Sequence, residues 1–304
     1  MKHYADLLFK SMIAQDISIL PLADTYKATE NSEPAAVQLM NCWRTVTGLN
    51  FVGQYIVDKK AGQILVTANL DESGKPTVFF GRLKVENEKI TELELYVDRS
   101  RSDSGFVYLP EEMNKLPKGW TSPIPEGGRA TREELLAVGR SIFGSATEDY
   151  PASEDCILME IGGIVYEDPE YLKDLMNGSD EVAATKEPVT IPAGLMPGRP
   201  QDPNARVEVI DEEQGIVASF GNVDGFVAPY VVANETGTCF VPAAMIEMHR
   251  RTVKPELFKG RKVMQEMPAT GSTVEIVRFH SGKLQGMHRY VNLQGPGAKS
   301  PWGK

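Results

Sequence analysis

Apolar and polar positions along this chain follow two rhythms in turn, and the same succession of rhythms occurs twice. Residues 4–15, YADLLFKSMIAQ, place Leu7, Leu8, Met12 and Ile13 toward one face at the three- and four-residue spacing of an amphipathic helix. Residues 132–143, REELLAVGRSIF, repeat that spacing with Leu135, Leu136, Val138, Ile142 and Phe143. Thr131 precedes the second helix as a cap, and Glu133 and Glu134 stand in its first turn, where acids complement the exposed N–H groups. A polar connection containing Pro21 or Pro151 follows each helix, and the rhythm then changes to strands. LADTYKATENS (22–32) aligns without a gap on ASEDCILMEIG (152–162), which sets Glu30 on Glu160. Ile56-Val57-Asp58 with Gly62 matches Val209-Ile210-Asp211 with Gly215, a strand–turn–strand whose Asp and Gly supply the turn. GRLKVENEKITELELYV (81–97) pairs with EIVRFHSGKLQGMHRYV (275–291), so Tyr96 falls on Tyr290 and Glu94 on His288.

The order helix, strand, further hairpins therefore predicts two similar α+β units in one chain of 304 residues, a length that suits two domains. The expected boundaries are 1–100 for the first unit, 101–129 for a Pro/Gly-rich linker, 130–295 for the second unit and 296–304 for an irregular tail. The second unit is larger by two insertions. PVTIPAGLMPGRPQDPN reads as loop, and VPAAMIEMHRRTV as a short helix followed by the basic stretch KPELFKGRK. Linker residues Phe106, Tyr108, Leu109 and Trp120 suggest packing against something. Trp302 in the tail is either an anchor to a partner subunit or unanchored.

Composition narrows the function classes. Hydrophobic residues make up 41% and charged residues 24%, as in ordinary globular domains. Thirty-two basic against 42 acidic residues give a net charge of −10, which repels phosphate backbones and argues against nucleic acid as a partner. No apolar run approaches the roughly 18 residues of a membrane span, so no membrane partner is expected. The first helix, interrupted by Asp6, Lys10 and Asp16, reads as amphipathic and not as a signal peptide, which favours a cytoplasmic location. Cys42, Cys156 and Cys239 are widely spaced and are expected as reduced, packed thiols; neither they nor the four histidines suggest a metal site.

PLADTYKATENSEPA, CWRTVTGL, VDKKAGQILV and GKPTVFFGRLKVENEKITELELYV together resemble the SnoaL-like branch of the NTF2-like superfamily. Ser32 stands where the pattern usually has Gly, and Cys42-Trp43 where it has Leu-Trp. The resemblance covers about 100 residues of the first half and, in outline, the second. It implies two cystatin-like cones, each a curved mixed sheet wrapped on an N-terminal helix, with an apolar pocket at the open end. Members of this superfamily include steroid isomerases, polyketide cyclases, dehydratases and cofactor-free lyases as well as plain binding modules, and fold does not choose among them. Such cones commonly pair through their sheets, so a homo-oligomer or an intramolecular pseudo-dimer is expected.

GxGxxG, GxxxxGK[ST], HExxH and GxSxG are all missing, so no cofactor is expected and acid–base chemistry in an apolar pocket remains. Glu30 shares a strand face with Tyr26 and Ala28, and the resembled families often carry an acidic base near this point; alternatively Glu30 opens a solvated turn. Glu160 sits in the apolar run CILMEIGGIV, where a carboxylate is costly unless paired or protonated. His288 and Tyr290 share a face with Gly286 and form a second candidate acid–base and oxyanion pair, unless they lie on the outer face. His249 and Arg250 are candidate substrate contacts on the predicted short helix, against the plainer reading of a solvated basic end. Tyr26, Trp43 and Tyr55 are candidate aromatic walls of the first pocket, or simply core, and Arg82 and Lys84 read as solvated. The expected function is a cofactor-independent lyase or isomerase acting on a small hydrophobic substrate. The alternative is a non-catalytic binding or assembly protein made of two degenerate cones.

Overall fold

The computed structural model describes residues 1–99, 108–144, 150–164, 166–167, 187–188, 202–232, 235–253 and 255–303. In the first unit, helix α1 (Lys2–Ala14) is followed by β1 (Leu22–Glu30), β2 (Glu33–Pro34), the short helix α2 (Asn41–Thr45), β3 (Gly48–Asp58), β4 (Gln63–Asp71), β5 (Pro76–Glu86) and β6 (Lys89–Asp98). After the connecting helix α3 (Lys118–Thr121), the second unit begins with α4 (Arg132–Phe143) and β7 (Ala152–Glu160), then β8 (Gly163–Ile164). It continues through the small pair β9 (Tyr166–Glu167) and β10 (Glu187–Pro188), then β11 (Arg206–Asp211), β12 (Ile216–Val232) and β13 (Glu235–Pro242). Helix α5 (Ile246–Thr252), β14 (Met267–His280) and β15 (Lys283–Gln294) complete it.

The two large sheets have the same strand order. The first runs β2-β1-β6-β5-β4-β3 and the second β8-β7-β15-β14-β12-β11, with β13 added on β12. Each is mixed, because β1 runs parallel to β6 and β7 parallel to β15 while the other pairs are antiparallel. Irregularities recur at matching places. One lies between Leu22 and Lys27 and again between Ala152 and Ile157; another lies between Lys84 and Val85 and again between Arg278 and Phe279. Bulges add local bend and twist, so matched bulges curve both sheets alike. The architecture is α+β, two curved mixed sheets each closed over one helix.

Each concave face is filled from its helix. On α1 the buried face is Ala5, Leu8, Phe9 and Met12, packed on Val66, Phe79, Leu83 and Leu95. Ile13, expected on that face, is 41% exposed, because the helix is rotated toward Phe9, which meets Phe79 edge-on. On α4 the buried residues include Leu135, Val138, Ile142 and Phe143, and Thr131 and Glu134 form a reciprocal capping box at its start.

The two convex faces pack against each other through a third cluster that includes Ile56, Leu65, Phe80, Tyr96, Ile216, Phe220, Ile276 and Tyr290. Phe80 lies 4.7 Å from Tyr96 and 4.0 Å from Tyr290, ring centre to ring centre. The matching turn residues Asp58 and Asp211 reach across reciprocally. Ile210 N donates to Asp58 Oδ2 (3.1 Å) and Val57 N to Asp211 Oδ2 (2.8 Å). Met113 and Trp120, from the segment expected as linker, are buried in the same cluster, so that segment is part of the interface. Phe106 and most of the loop insertion PVTIPAGLMPGRPQDPN lie outside the described residues. No helix among the described residues is long and apolar enough to cross a membrane.

Candidate functional site

One row of four residues crosses the concave face of the second sheet. Ser219 of β12 pairs with Glu275 of β14, Glu275 with Arg289 of β15, and Arg289 with Glu160 of β7. Alternation makes this face concave, since Val277 and Phe279 follow Glu275 in period two and pack in the cluster under α4. Arg289 Nε donates to Glu275 Oε1 at 2.8 Å, and Ser219 Oγ donates to the Gly139 carbonyl of α4. The side chain of Glu275 is 2% exposed and that of Arg289 is 18% exposed. The second carboxyl oxygen of Glu275, Oε2, is buried and has no hydrogen-bond partner among the described residues.

Burial pushes the Glu275 carboxyl above the usual carboxylate range; the charge and hydrogen bond of Arg289 pull the other way without cancelling it. Burial opposes the charge on Arg289 too, but Glu275, and after it Glu160, hold the guanidinium protonated beyond its ordinary value. The site is thus a half-buried guanidinium between two carboxyl groups, the inner one desolvated and keeping one oxygen unused. A carboxyl in such surroundings is a candidate to deliver or take a proton.

The matching row of the first sheet is Val66, Gly81, Leu95 and Glu30. Its centre is apolar and full. A Cβ on Gly81 would stand 2.8 Å from the Phe79 ring and 2.9 Å from Leu95. Glu30 is 7% exposed and accepts the Cys42 N–H at the start of α2 (3.2 and 3.3 Å), with Arg99 Nη2 at 3.5 Å. Arg99 also binds Glu72 through two bonds of 2.8 and 2.9 Å. Burial works against the charge on Glu72, but Arg99 and the hydroxyls of Thr45 and Thr77 outweigh it and hold the carboxyl below its usual range. Glu30 therefore ties α2 and Arg99 to the end of β1. Trp43 packs in the first core and donates from Nε1 to Ser11 Oγ (3.1 Å). The Tyr55 hydroxyl donates to Asp6 and that of Tyr26 accepts from Val37 N, so Trp43 is packed core of the first cone and the two tyrosines lie half-buried against it.

His288 and Tyr290 point the other way from the row. They lie on the convex face, inside the interface between the sheets, and the expectation that they line a pocket is corrected accordingly. His288 is 2% exposed; its Nε2 accepts the Gly162 N–H (3.3 Å), and burial drives its pKa down to about 3. It is a neutral ring at physiological pH. The room left by Gly286 is taken by the Trp120 indole, which a Cβ would approach to 2.4 Å. His249 faces the Pro229 carbonyl (3.1 Å), and Arg250 is paired with Glu247 and Glu266. That cluster sits on β12 and β13.

Two clefts open elsewhere. One, of about 730 Å³, is bounded by Asp202, Asn222, Asp224, Pro242 and residues 297–300; the other, of about 540 Å³, by Leu136, Arg140, Phe143 and Arg206. None of the four row residues lines either. Among the described residues no cluster of three or more His, Cys, Asp or Glu is placed to hold a metal ion.

Glu275 and Arg289 were not among the sequence candidates. The signal was present, because the aligned hairpins set an acid and a base where the first unit has Gly81 and Leu95. Seeing it required knowing which face of β14 and β15 turns inward.

In fold, the likeness is to NTF2-like proteins. An NTF2-like protein of unknown function from Cytophaga hutchinsonii matches with 13% identity, over 32% of this chain and 88% of that one, at a TM-score of 0.27. A second, from Burkholderia xenovorans, matches with 10% identity over 33% and 83%, at 0.28. A de novo designed protein with a curved β-sheet matches with 17% identity over 32% and 84%, at 0.27. No family model matches the chain, and a search of curated proteins found no match.

Proposed function

We propose that the chain is a cofactor-independent lyase or isomerase whose proton-transfer site is the Glu275–Arg289–Glu160 row of the second cone. The observation that carries this reading is the unmet, buried Oε2 of Glu275 beside a half-buried guanidinium. Buried polar atoms in native proteins are nearly always satisfied, so an orphan on a desolvated acid marks a place where a ligand group completes the bonding. Glu275 exchanges the proton. Arg289 steadies the negative charge that develops on a substrate oxygen, and Glu160 helps keep Arg289 charged. The partner is a small hydrophobic molecule of aromatic, terpenoid or polyketide-like character, and the reaction is a dehydration, a deformylation or a double-bond shift. The first cone, filled by Phe79 and Leu95 around Gly81, serves as scaffold.

The test is solvent deuterium incorporation, read by mass spectrometry, into a panel of small cyclic ketones and hydroxylated aryl compounds. Glu275→Gln should lower the rate at least about 10²-fold, the usual contribution of a positioned acid or base. If no compound exchanges above the buffer rate, or if Glu275→Gln exchanges as fast as the wild type, the reading fails. A second reading, a binding or assembly protein, has support in the packed interior of the first cone and the large convex interface. It predicts ligand binding without exchange.

A further inference from the structure

Residues 295–302 leave the end of β15 and cross from the second unit to the first. Gly297 N donates to Thr270 Oγ1 (2.9 Å) and Asn222 Nδ2 to the Ala298 carbonyl (3.0 Å), both on the second sheet. Four residues on, Lys27 Nζ donates to the Pro301 carbonyl (2.6 Å) and Trp302 Nε1 to Thr29 Oγ1 (3.0 Å), both on β1 of the first sheet. Trp302 is only 9% exposed, although exposed and half-buried residues precede it from Gly295 to Pro301.

What Trp302 covers is a buried charge network that itself spans the two units. Arg82, which was expected to be solvated, is fully buried. Its Nε donates to Glu94 (2.8 Å) and its Nη1 to Gln63 and Glu92 (2.7 Å each). Arg206 of the second unit reaches the same Glu94 at 2.7 Å. Arg82 Nη2 has no hydrogen-bond acceptor among the described residues, and the Trp302 ring lies 4.7 Å from Arg82 Cζ. Lys27 Nζ stands 4.4 Å from the same ring, and the Arg206 guanidinium 6.0 Å away. An indole offers what this place lacks. Its face attracts cations, Trp gives the strongest such contact, and its one N–H finds Thr29.

We propose that the convex face of the first sheet carries an indole-binding site, formed by Lys27, Thr29 and Arg82, which the chain fills with its own Trp302. The segment 295–302 is then a latch. With the indole seated, the strap holds the second sheet against the first and shields the Arg82–Glu94–Arg206 network from water. With the indole lifted, the strap is free beyond Ala298 and the guanidinium of Arg82 gains access to solvent.

The test uses the full-length chain with Trp302→Gly, which leaves an indole-sized vacancy, and Trp302→Phe, which keeps a ring but loses the bond to Thr29. The readout is the rate of tryptic cleavage after Lys299, an exposed residue within the strap. Trp302→Gly should be cut about tenfold faster than the wild type, the factor that corresponds to roughly 1.4 kcal/mol of lost latching. Trp302→Phe should fall between, and millimolar free indole should slow cleavage of the Gly variant back toward the wild-type rate. Cleavage of Trp302→Gly at the wild-type rate, or an increase that indole does not reverse, overturns the proposal. So does early cutting spread over the whole chain, because the contact would then support the fold at large and not a latch.

Discussion

Replacing Arg289 by Met tests the electrostatics of the charged row directly. Arg289 gives Glu275 its one hydrogen bond among the described residues, so the variant leaves a carboxyl that is 2% exposed with both oxygens unmet. Removing one partner of a buried pair costs about 3–5 kcal/mol. Protonation sets a ceiling. A carboxyl of ordinary pKa near 4.3 costs about 3.7 kcal/mol to neutralise at pH 7 and about 1 kcal/mol at pH 5. The variant's cost relative to wild type should therefore approach 4 kcal/mol at pH 7 and shrink by up to about 2.7 kcal/mol at pH 5. The sign follows from proton counts. An acid whose folded pKa is raised holds its proton in the folded state after the unfolded chain has released it, so stability falls as pH climbs above roughly 4.3. Urea unfolding of both proteins at pH 7 and pH 5 measures the two costs. A cost below 1 kcal/mol, or one that does not change between these pH values, refutes the claim that Arg289 compensates a desolvated Glu275. The double variant Glu275→Leu with Arg289→Met should be neutral or about 1–4 kcal/mol more stable than wild type, while losing the exchange activity.

His288 predicts an opposite pH effect. Its folded pKa of about 3 lies below the ordinary 6.5, so the unfolded chain takes up the proton first and stability drops by about 1.4 kcal/mol per unit as pH falls below 6.5. His288→Gln should remove that component of the slope between pH 6.5 and 5, read from urea midpoints; an unchanged slope would show the ring to be solvated. Gly81→Ala should cost about 1–3 kcal/mol through the collision with Phe79 and Leu95, yet leave any exchange activity at the wild-type rate per folded molecule. A proportional loss of activity would move the site to the first cone.

Much of the architecture could be read from the residue pattern, and its limit has a physical cause. The gapless match of 22–32 on 152–162 corresponds to the shared pairing of β1 with β6 and of β7 with β15, down to the same irregularity. Thr131 reads as a cap because a hydroxyl before an apolar-periodic run with Glu at the third position has one favourable local geometry. Face assignment fails for a different reason. Period-two alternation separates buried from exposed only where one face meets water. Here β4 is buried from Gln63 through Leu70, since one face meets α1 and the other meets the second sheet. On such a strand both faces carry large apolar residues, and His288 with Tyr290 looks as pocket-like as Arg289 with Val291. Arg82 was misjudged for the same reason, because its partner Glu94 is shared with Arg206 of the other unit.

The two interiors differ in a way that packing alone does not require. At the centre of the first cone, Gly81 and Leu95 close around Phe79, and Phe79 meets Phe9 of the helix. The second cone has the same strand order and the same bulges, and a comparable apolar filling would suit it. It instead carries an acid and a base at these two positions, at a net cost that apolar residues of similar size would avoid. Elsewhere the buried charges are extensively bonded: Asp58 accepts from Ile210, Lys60, Ala61 and Arg132, and Glu94 from Arg82, Tyr96 and Arg206. Against these bonded groups Glu275 Oε2 is unmet, one of several such buried side-chain atoms among the described residues, and it is a departure on an acid that stands where the first unit has Gly81. Departures of this kind concentrate where function outweighs stability. That contrast between matched positions, more than the fold, is why the proposed chemistry is assigned to the second cone.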